Sequence, residues 1–278
     1  MSFKSNKQKL IIYNRISYLI LILAGLMIMY PLLIILSSSF KTEKELFTYP
    51  PSLIPESFNL NNFAALLENF PTYILNSFKL TIIIVILQVI IATTSGYAFA
   101  KLQWKAREAI FLLYISSIMI PAQVYIIPQF IIIRTIGLYD THLGLILVCS
   151  FTALGTFLVK QFFSTIPDSY IEAAKINGAG HFYIFIKIML PLSQPVIATL
   201  IVLSFRYWWN DLFNPLIYLT SQHLKTLPLG LADFVSEYDV YYGPQMAASL
   251  IAIIPVVLIF IFAQKYIIQG FVTSGIKG

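Results

Sequence analysis

Long runs almost free of Asp, Glu, Lys and Arg dominate this chain, and they limit its folding more than any other feature. They cover residues 16–40, 80–100, 109–133, 141–159, 188–217 and 240–264, the fifth carrying Arg206 and Asp211. A helix crossing the hydrocarbon core of a bilayer needs about 20 mostly apolar residues. Each run is long enough, and none shows the polar/apolar alternation of a barrel strand. Only 11% of the 278 residues are charged, against roughly 25% in soluble domains, so no ordinary solvated surface can be built around one core. With 22 Phe and 17 Tyr the chain is also too apolar for disorder. The expectation is an all-α membrane protein: one transmembrane domain over residues 1–278, with six transmembrane helices in the lipid bilayer.

Orientation follows from the basic residues, which concentrate in cytoplasmic loops. With the N-terminus inside, twelve of the 18 Lys and Arg fall in inner segments, and only Lys41, Lys44, Arg134 and Lys225 fall in outer ones. Both termini are therefore expected in the cytoplasm. Lys4, Lys7, Lys9 and Arg15 precede the first run as they would in a signal peptide. That run is too long for one and LSSSF offers no good cleavage site, so it is expected to be a retained anchor. The net charge of +6 is scattered between apolar runs, whereas nucleic-acid binding needs a clustered basic face; no nucleic-acid partner is expected.

Several chemistries lack their residues. Gradient-driven carriers bury ionisable groups in their spans, and Asp211, beside Trp208 and Trp209, is the one candidate here. No glycine is followed by lysine, so the phosphate-binding Gly-Lys-Ser/Thr loop is missing. If transport is uphill, another subunit supplies the energy. His142, His181 and His223 stand apart with no metal-ligand spacing, and Cys149 among apolar neighbours reads as packing. No catalytic or metal site is expected.

The loop at 164–187 and its continuation, IPDSYIEAAKINGAGHFYIFIKIMLPLSQP, is the most informative stretch. Ser169 and Glu172 have the spacing of a capping box that opens a short helix. Ala173 and Ala174 give it a small face, and Gly178 suits the positive-φ residue just past its end. A second helix is expected through Phe182, Ile184 and Phe185 into Ile188, until Pro191 and Pro195 disturb it. Such a knob is either a capped connection or a docking surface, and capping alone accounts for Ser169, Glu172 and Gly178.

This stretch resembles the EAA motif of importer-type ABC permeases: Glu172, Ala173 and Ala174, then Gly178, then Ile188, then Leu190 and Pro191. Asn177 departs from it, since many sugar permeases have Asp there. The segments SGYAFAKLQWKAREAIF, IPAQVYIIPQF, WNDLFNPLIYLTSQHLKTLPLGL and QGFVTSGIKG extend the resemblance to the shorter, six-span carbohydrate permeases of the maltose-transporter type. It implies a type I importer fold in a bacterial plasma membrane, with the loop as a cytoplasmic coupling helix. Glu172 would meet basic residues of an ATPase, and the tail ending at Gly278 would reach toward the same interface. The implied partners are a second homologous permease, two cytoplasmic P-loop ATPase subunits that bind ATP and Mg, and an extracytoplasmic sugar-binding protein. This chain would carry no cofactor and would move a sugar inward by alternating access. Non-sugar solutes, or a gradient-driven carrier, are the alternatives. Asn76, Gln123, Trp208 and Asn210 have the polar or aromatic groups a sugar pathway needs, but such residues also join helices and anchor them at interfaces.

Overall fold

The computed structural model describes the backbone of residues 2–234 and 241–275, with side chains over 13–234, 241–262 and at 264. The tail 276–278, with Lys277, lies outside the described residues. Every regular element among them is helical, and the chain forms two compact units, 1–68 with 233–253 and 69–232 with 254–278.

In the first unit, α1 (Ser2–Ser38) contains Pro31. From Tyr13 to Leu36 it presents almost only exposed apolar side chains, as lipid or a partner helix requires. A polar segment follows and binds itself together. The α2 turn (Glu43–Leu46) opens with a reciprocal capping box between Thr42 and Glu45, and Lys41 donates to the Ser52 carbonyl. Before α3 (Asn61–Ala64), Phe40 packs against Phe58 and Phe63. Asn62 donates to the carbonyls of Ser39 and Lys41 at 3.0 and 2.8 Å.

The second unit is built on α4 (Phe70–Lys101), which starts with Pro71 in its first turn. There the fixed φ and missing N–H cost nothing. This helix begins ten residues before the charge-free run at 80 because exposed Lys79 sits within it. The run 109–133 divides into α5 (Arg107–Ser116), a 3₁₀ turn (Ser117–Met119) and α6 (Ala122–Thr135), bent by 99° at Ile120–Pro121. Pro121 pushes Ile120 into extended backbone. The run 141–159 divides into α7 (His142–Cys149) and α8 (Ala153–Thr165), bent by 43°. Thr141 and Thr152 cap these helices by accepting from Gly144 N and Gly155 N.

The short helix α9 (Ser169–Ile176) follows. The expected second loop helix is not continuous: α10 (His181–Ile184) gives way to a π-turn (Phe185–Met189) and α11 (Leu190–Leu192). After Ser193 the chain bends by 75° into α12 (Gln194–Trp209). Pro191 and Pro195 each remove a backbone donor, which is why the α-register fails on either side of Ser193. The run 188–217 therefore ends its long helix at Trp209. The rest forms α13 (Phe213–Tyr218), followed by a 3₁₀ turn (Gln222–Leu224) and α14 (Leu227–Ala232). The last helix, α15 (Tyr242–Gly275), contains Pro255. Among the described residues three helices are long and apolar enough to cross a membrane, and the three bent pairs bring the spans to six if each pair crosses once.

Two apolar cores lie along α4. Leu80 and Ile84 join Leu145, Cys149 and Tyr218 in one; Ala92 and Tyr97 join Val159, Phe163, Ile184, Met189 and Leu200 in the other. Gln88 donates to the Cys149 carbonyl at 2.8 Å, satisfying an acceptor where the α7–α8 pair breaks. In a bilayer that carbonyl would otherwise go unpaired.

At the opposite end of α4 from Lys101, the 220–227 segment is tied down by polar groups. Asp140 accepts from the Ser221 hydroxyl at 2.5 Å and from the amides of Thr220 and Ser221 at 2.8 and 3.0 Å. Its carboxyl is held below the ordinary aspartate value, first by the Ser221 hydroxyl and then by the two amides. A depressed folded pKa adds stability that is complete above the unfolded value of about 3.9 and is lost as pH falls through the lower folded one. We expect Asp140→Asn to lower the thermal midpoint at pH 7 by a few degrees. It should also flatten the loss of stability below about pH 4, as measured on purified protein in detergent. An unchanged acid limb would show that the clamp does not titrate.

Candidate functional site

The loop between α8 and α12 is held at its root by one lysine. Lys101, the last residue of α4, donates from Nζ to the Ile166 carbonyl and to Asp168 Oδ1, each at 2.6 Å. Its side chain is only 5% exposed, whereas that of Asp168 is 71% exposed. This corrects one expectation. Ser169 is the first helical residue of α9, and the preceding residue, Asp168, makes no side-chain cap. The capping box is absent because Asp168 is drawn to Lys101, and the helix starts one residue earlier than the Ser169–Glu172 spacing implies.

The far end of α9 matches the expectation. Gly178 has φ +79°, Gly178 N donates to the Lys175 carbonyl at 2.9 Å, and Ala179 N donates to Ala174 at 3.0 Å. These two bonds form a Schellman motif. Ala174 and Ala179, which close it, both pack against the core around Ile171, Ile184 and Met189. A Cβ on residue 178 would meet nothing within 4 Å, so only backbone strain opposes substitution. We expect Gly178→Asn to be tolerated, Gly178→Ala to cost about 1–2 kcal/mol of loop stability, and Gly178→Val to cost more. Protease sensitivity at 176–182 measures the series, and equal sensitivity of the Asn and Val variants would contradict it.

The motif residues divide between two faces. Ile188 packs on the core, Ala174 and Leu190 are half-buried, and Glu172, Ala173, Gly178 and Pro191 are exposed. In the same loop Ile176 (86% exposed), Phe182 (76%) and Tyr183 (57%) are exposed as well. The loop thus presents a carboxylate in the first turn of α9, a small alanine and bare apolar side chains, standing on a packed base.

The pathway candidates do not converge. Asn76 is buried and donates to the carbonyls of His223 and Lys225 at 2.8 and 3.0 Å, holding the 220–227 segment. Gln123 is exposed on α6, and exposed Asn210 bonds back to the Arg206 carbonyl at 2.7 Å. Trp208 lines a small cavity, with Ser77, Thr81, Asp211 and Thr226 among its neighbours. The Thr226 hydroxyl is buried without a hydrogen-bond partner among the described residues. Asp211 accepts from Asn214 Nδ2 at 2.9 Å. Thr81 and Thr226 were not apparent from the sequence, because a hydroxyl within or beside an apolar run carries no spacing signal. Among the described residues no group of three or more His, Cys, Asp or Glu is placed to hold a metal ion.

Among the described residues the protein is all-helical, with bent apolar pairs and an exposed Glu-Ala-Ala helix ended by a positive-φ glycine, the architecture of an integral membrane protein. The chain belongs to the family of binding-protein-dependent transport system inner membrane components, whose family model matches residues 88–272. It is 34% identical over 254 residues to the arabinooligosaccharides transport system permease protein AraQ of Halalkalibacterium halodurans, covering 90% of this chain and 91% of that one. The sn-glycerol-3-phosphate transport system permease protein UgpE of Yersinia pestis is 30% identical over 267 residues, 92% and 95% of the two chains. A chain in the crystal structure of a bacterial ABC transporter involved in alginate import superposes with a TM-score of 0.82 at 24% identity, over 92% of this chain and 96% of that one. The fold is that of a type I ABC importer permease. The chain is a transport component rather than a catalytic one, with ATP hydrolysis on a separate subunit, and it works with ATPase and binding-protein partners.

Proposed function

We propose that this chain is the permease subunit through which an ABC importer takes a sugar or oligosaccharide into a bacterial cytoplasm. It acts as one permease domain over residues 1–278 in the plasma membrane, with both termini cytoplasmic. It pairs with a second homologous permease, and two P-loop ATPase subunits bind ATP and Mg beneath the pair. An extracytoplasmic binding protein delivers the sugar. The loop 164–187 is the coupling helix: Glu172 and Ala173 face the ATPase, Gly178 permits the turn, and Ala174, Ile188, Leu190 and Pro191 join the helix to the membrane portion. ATP binding closes the ATPase pair, the loops move with it, and the spans pass from inward- to outward-facing. Nucleotide and loaded binding protein favour the same state, which gives uptake its direction.

One observation carries this reading: an exposed Glu-Ala-Ala helix, ended by a Schellman glycine, stands on a rigid base with apolar side chains of the same loop uncovered. Soluble surfaces rarely leave such side chains bare unless a partner covers them. The cavity beside Trp208 gathers an aromatic face, hydroxyls and a carboxylate, but at about 10 Å³ it holds no more than a water, so a sugar would pass here only in a more open state. Asn76 shapes its neighbourhood, and Gln123 and Asn210 lie further along the pathway. The AraQ and alginate-importer likenesses support carbohydrate, and the UgpE likeness keeps a phosphorylated polyol as the second reading.

The test is to reconstitute the complex with its binding protein in liposomes and assay ATP hydrolysis with arabinotriose, alginate oligosaccharides and sn-glycerol-3-phosphate. Stimulation by one of the saccharides is expected. Stimulation by glycerol phosphate alone would overturn the carbohydrate assignment and leave the importer assignment standing.

A further inference from the structure

Of the three described helices that meet at the root of the loop, α4, α8 and α12, α4 alone is unbroken. The α8 helix leads away from the loop but meets α7 at a 43° break, and α12 is separated from α10 by a π-turn and a 75° bend. By contrast, α4 runs from Phe70 to Lys101 with its one proline in the first turn. Proline is the usual cause of a helix kink. The 28 residue steps from Tyr73 to Lys101 span about 42 Å at 1.5 Å per residue.

Both ends of this helix hold backbone rather than side chains alone. At one end Lys101 grips the Ile166 carbonyl, which follows the last turn of α8, together with Asp168 at the start of the loop. At the other end Asn76 grips the carbonyls of His223 and Lys225, and Ser77 Oγ accepts from Leu227 N at 2.7 Å. Nearby, Gln222 Nε2 donates to Tyr73 Oη at 2.6 Å. Bonds to main chain fix where a segment sits, so a shift of α4 displaces both segments. Along its length α4 is fastened to the α7–α8 pair by Gln88 on Cys149 O, and by Ser95 Oγ, 2.9 Å from Thr156 Oγ1.

We propose that α4 is the strut that carries movement of the 164–187 loop to the 222–227 segment, and that Lys101 is the positioning residue at the loop end. The proposal rests on the loop being the ATPase docking site. Burial gives Lys101 its role: a solvated Lys–Asp pair is worth little. With its lysine buried, removing this clamp takes the donor from the carbonyl of buried Ile166, while the exposed Asp168 carboxylate returns to water.

The test uses the full transporter in liposomes, with exposed His223 changed to cysteine as the reporter; the native Cys149 is buried. Labelling by an impermeant maleimide is compared without nucleotide and after trapping with Mg-ATP and vanadate. In the Lys101-containing parent a nucleotide-dependent change in rate is expected. Lys101→Met should retain the ATPase on purification yet shrink that change about 2- to 30-fold. Lys101→Arg, which still offers donors to both oxygens, should restore it. An undiminished response in Lys101→Met overturns the strut, whether or not the complex is less stable, because a merely structural lysine would leave the response intact. Should Lys101→Met fail to assemble, Asp168→Asn decides in the same way, since it leaves the Ile166 bond and the apolar packing in place. No response in the parent would overturn the docking reading and the strut with it.

Discussion

Glu172→Lys is expected to cut uptake at least tenfold while the protein still inserts and folds. The magnitudes separate these two outcomes. Glu172 is exposed in the first turn of α9, and reversing a charge beside a helix N-terminus costs about 0.3–1 kcal/mol, too little to unfold the loop. Reversing a charge at a docking surface faced by cations replaces attraction with repulsion. Losing one partner of a buried interfacial pair costs about 2–5 kcal/mol, which corresponds to about 30-fold or more in coupling. The defect should therefore appear as loss of ATPase association or of uptake, with an unchanged melting curve. Glu172→Gln should lie between the two, since it removes the attraction without adding repulsion. A well-expressed Glu172→Lys protein with normal uptake would show that this carboxylate does not face the ATPase.

The second large effect is at Gly96, where α4 and α8 touch. A Cβ there would stand 2.8 Å from Val159 Cγ1 and 3.1 Å from Lys160 N. Val159 is fully buried, and the Lys160 amide is main chain, so the helices themselves must separate. Overpacking of this kind costs about 1–3 kcal/mol for one added methyl, and a leucine cannot be seated without parting α4 from α8. Gly96→Ala is expected to lower the thermal midpoint by several degrees and Gly96→Leu to abolish uptake. Adding Val159→Ala to Gly96→Ala should recover part of the loss, because Cγ1 makes the closest clash. If Gly96→Leu transports normally, the two helices are not held at this distance in the working protein.

The apolar runs were legible because few things but a bilayer tolerate so many residues without charge. Their ends and breaks were less so. A charge-free window stops at Lys79, yet α4 runs on past it, since an exposed lysine can stay on the outer face of a helix. Pro121, Pro191 and Pro195 announced disturbances, but the sizes of the bends, 99° and 75°, cannot be read from a proline's position. The break at Ser150–Thr152 has neither glycine nor proline, and the Thr152 cap shows only in the structure. In the loop, Gly178 was legible because a glycine after a short alanine-rich helix has few other uses. The capping box failed because the pull on Asp168 comes from Lys101, 67 residues away. A lysine at the end of an apolar run reads only as a marker of the inner side. The polar cavity wall was hidden for a related reason, since Thr81 and Thr226 become a site only when α4 and the 220–227 segment meet.

The most direct measurement of the central claim is to purify the tagged chain from native membranes in mild detergent and identify by mass spectrometry what accompanies it. The result expected is one homologous permease and a P-loop ATPase in stoichiometric amount, with the ATPase lost and the permease retained when Glu172→Lys is purified in the same way. A folded chain that comes through alone, or only with copies of itself, would contradict the account.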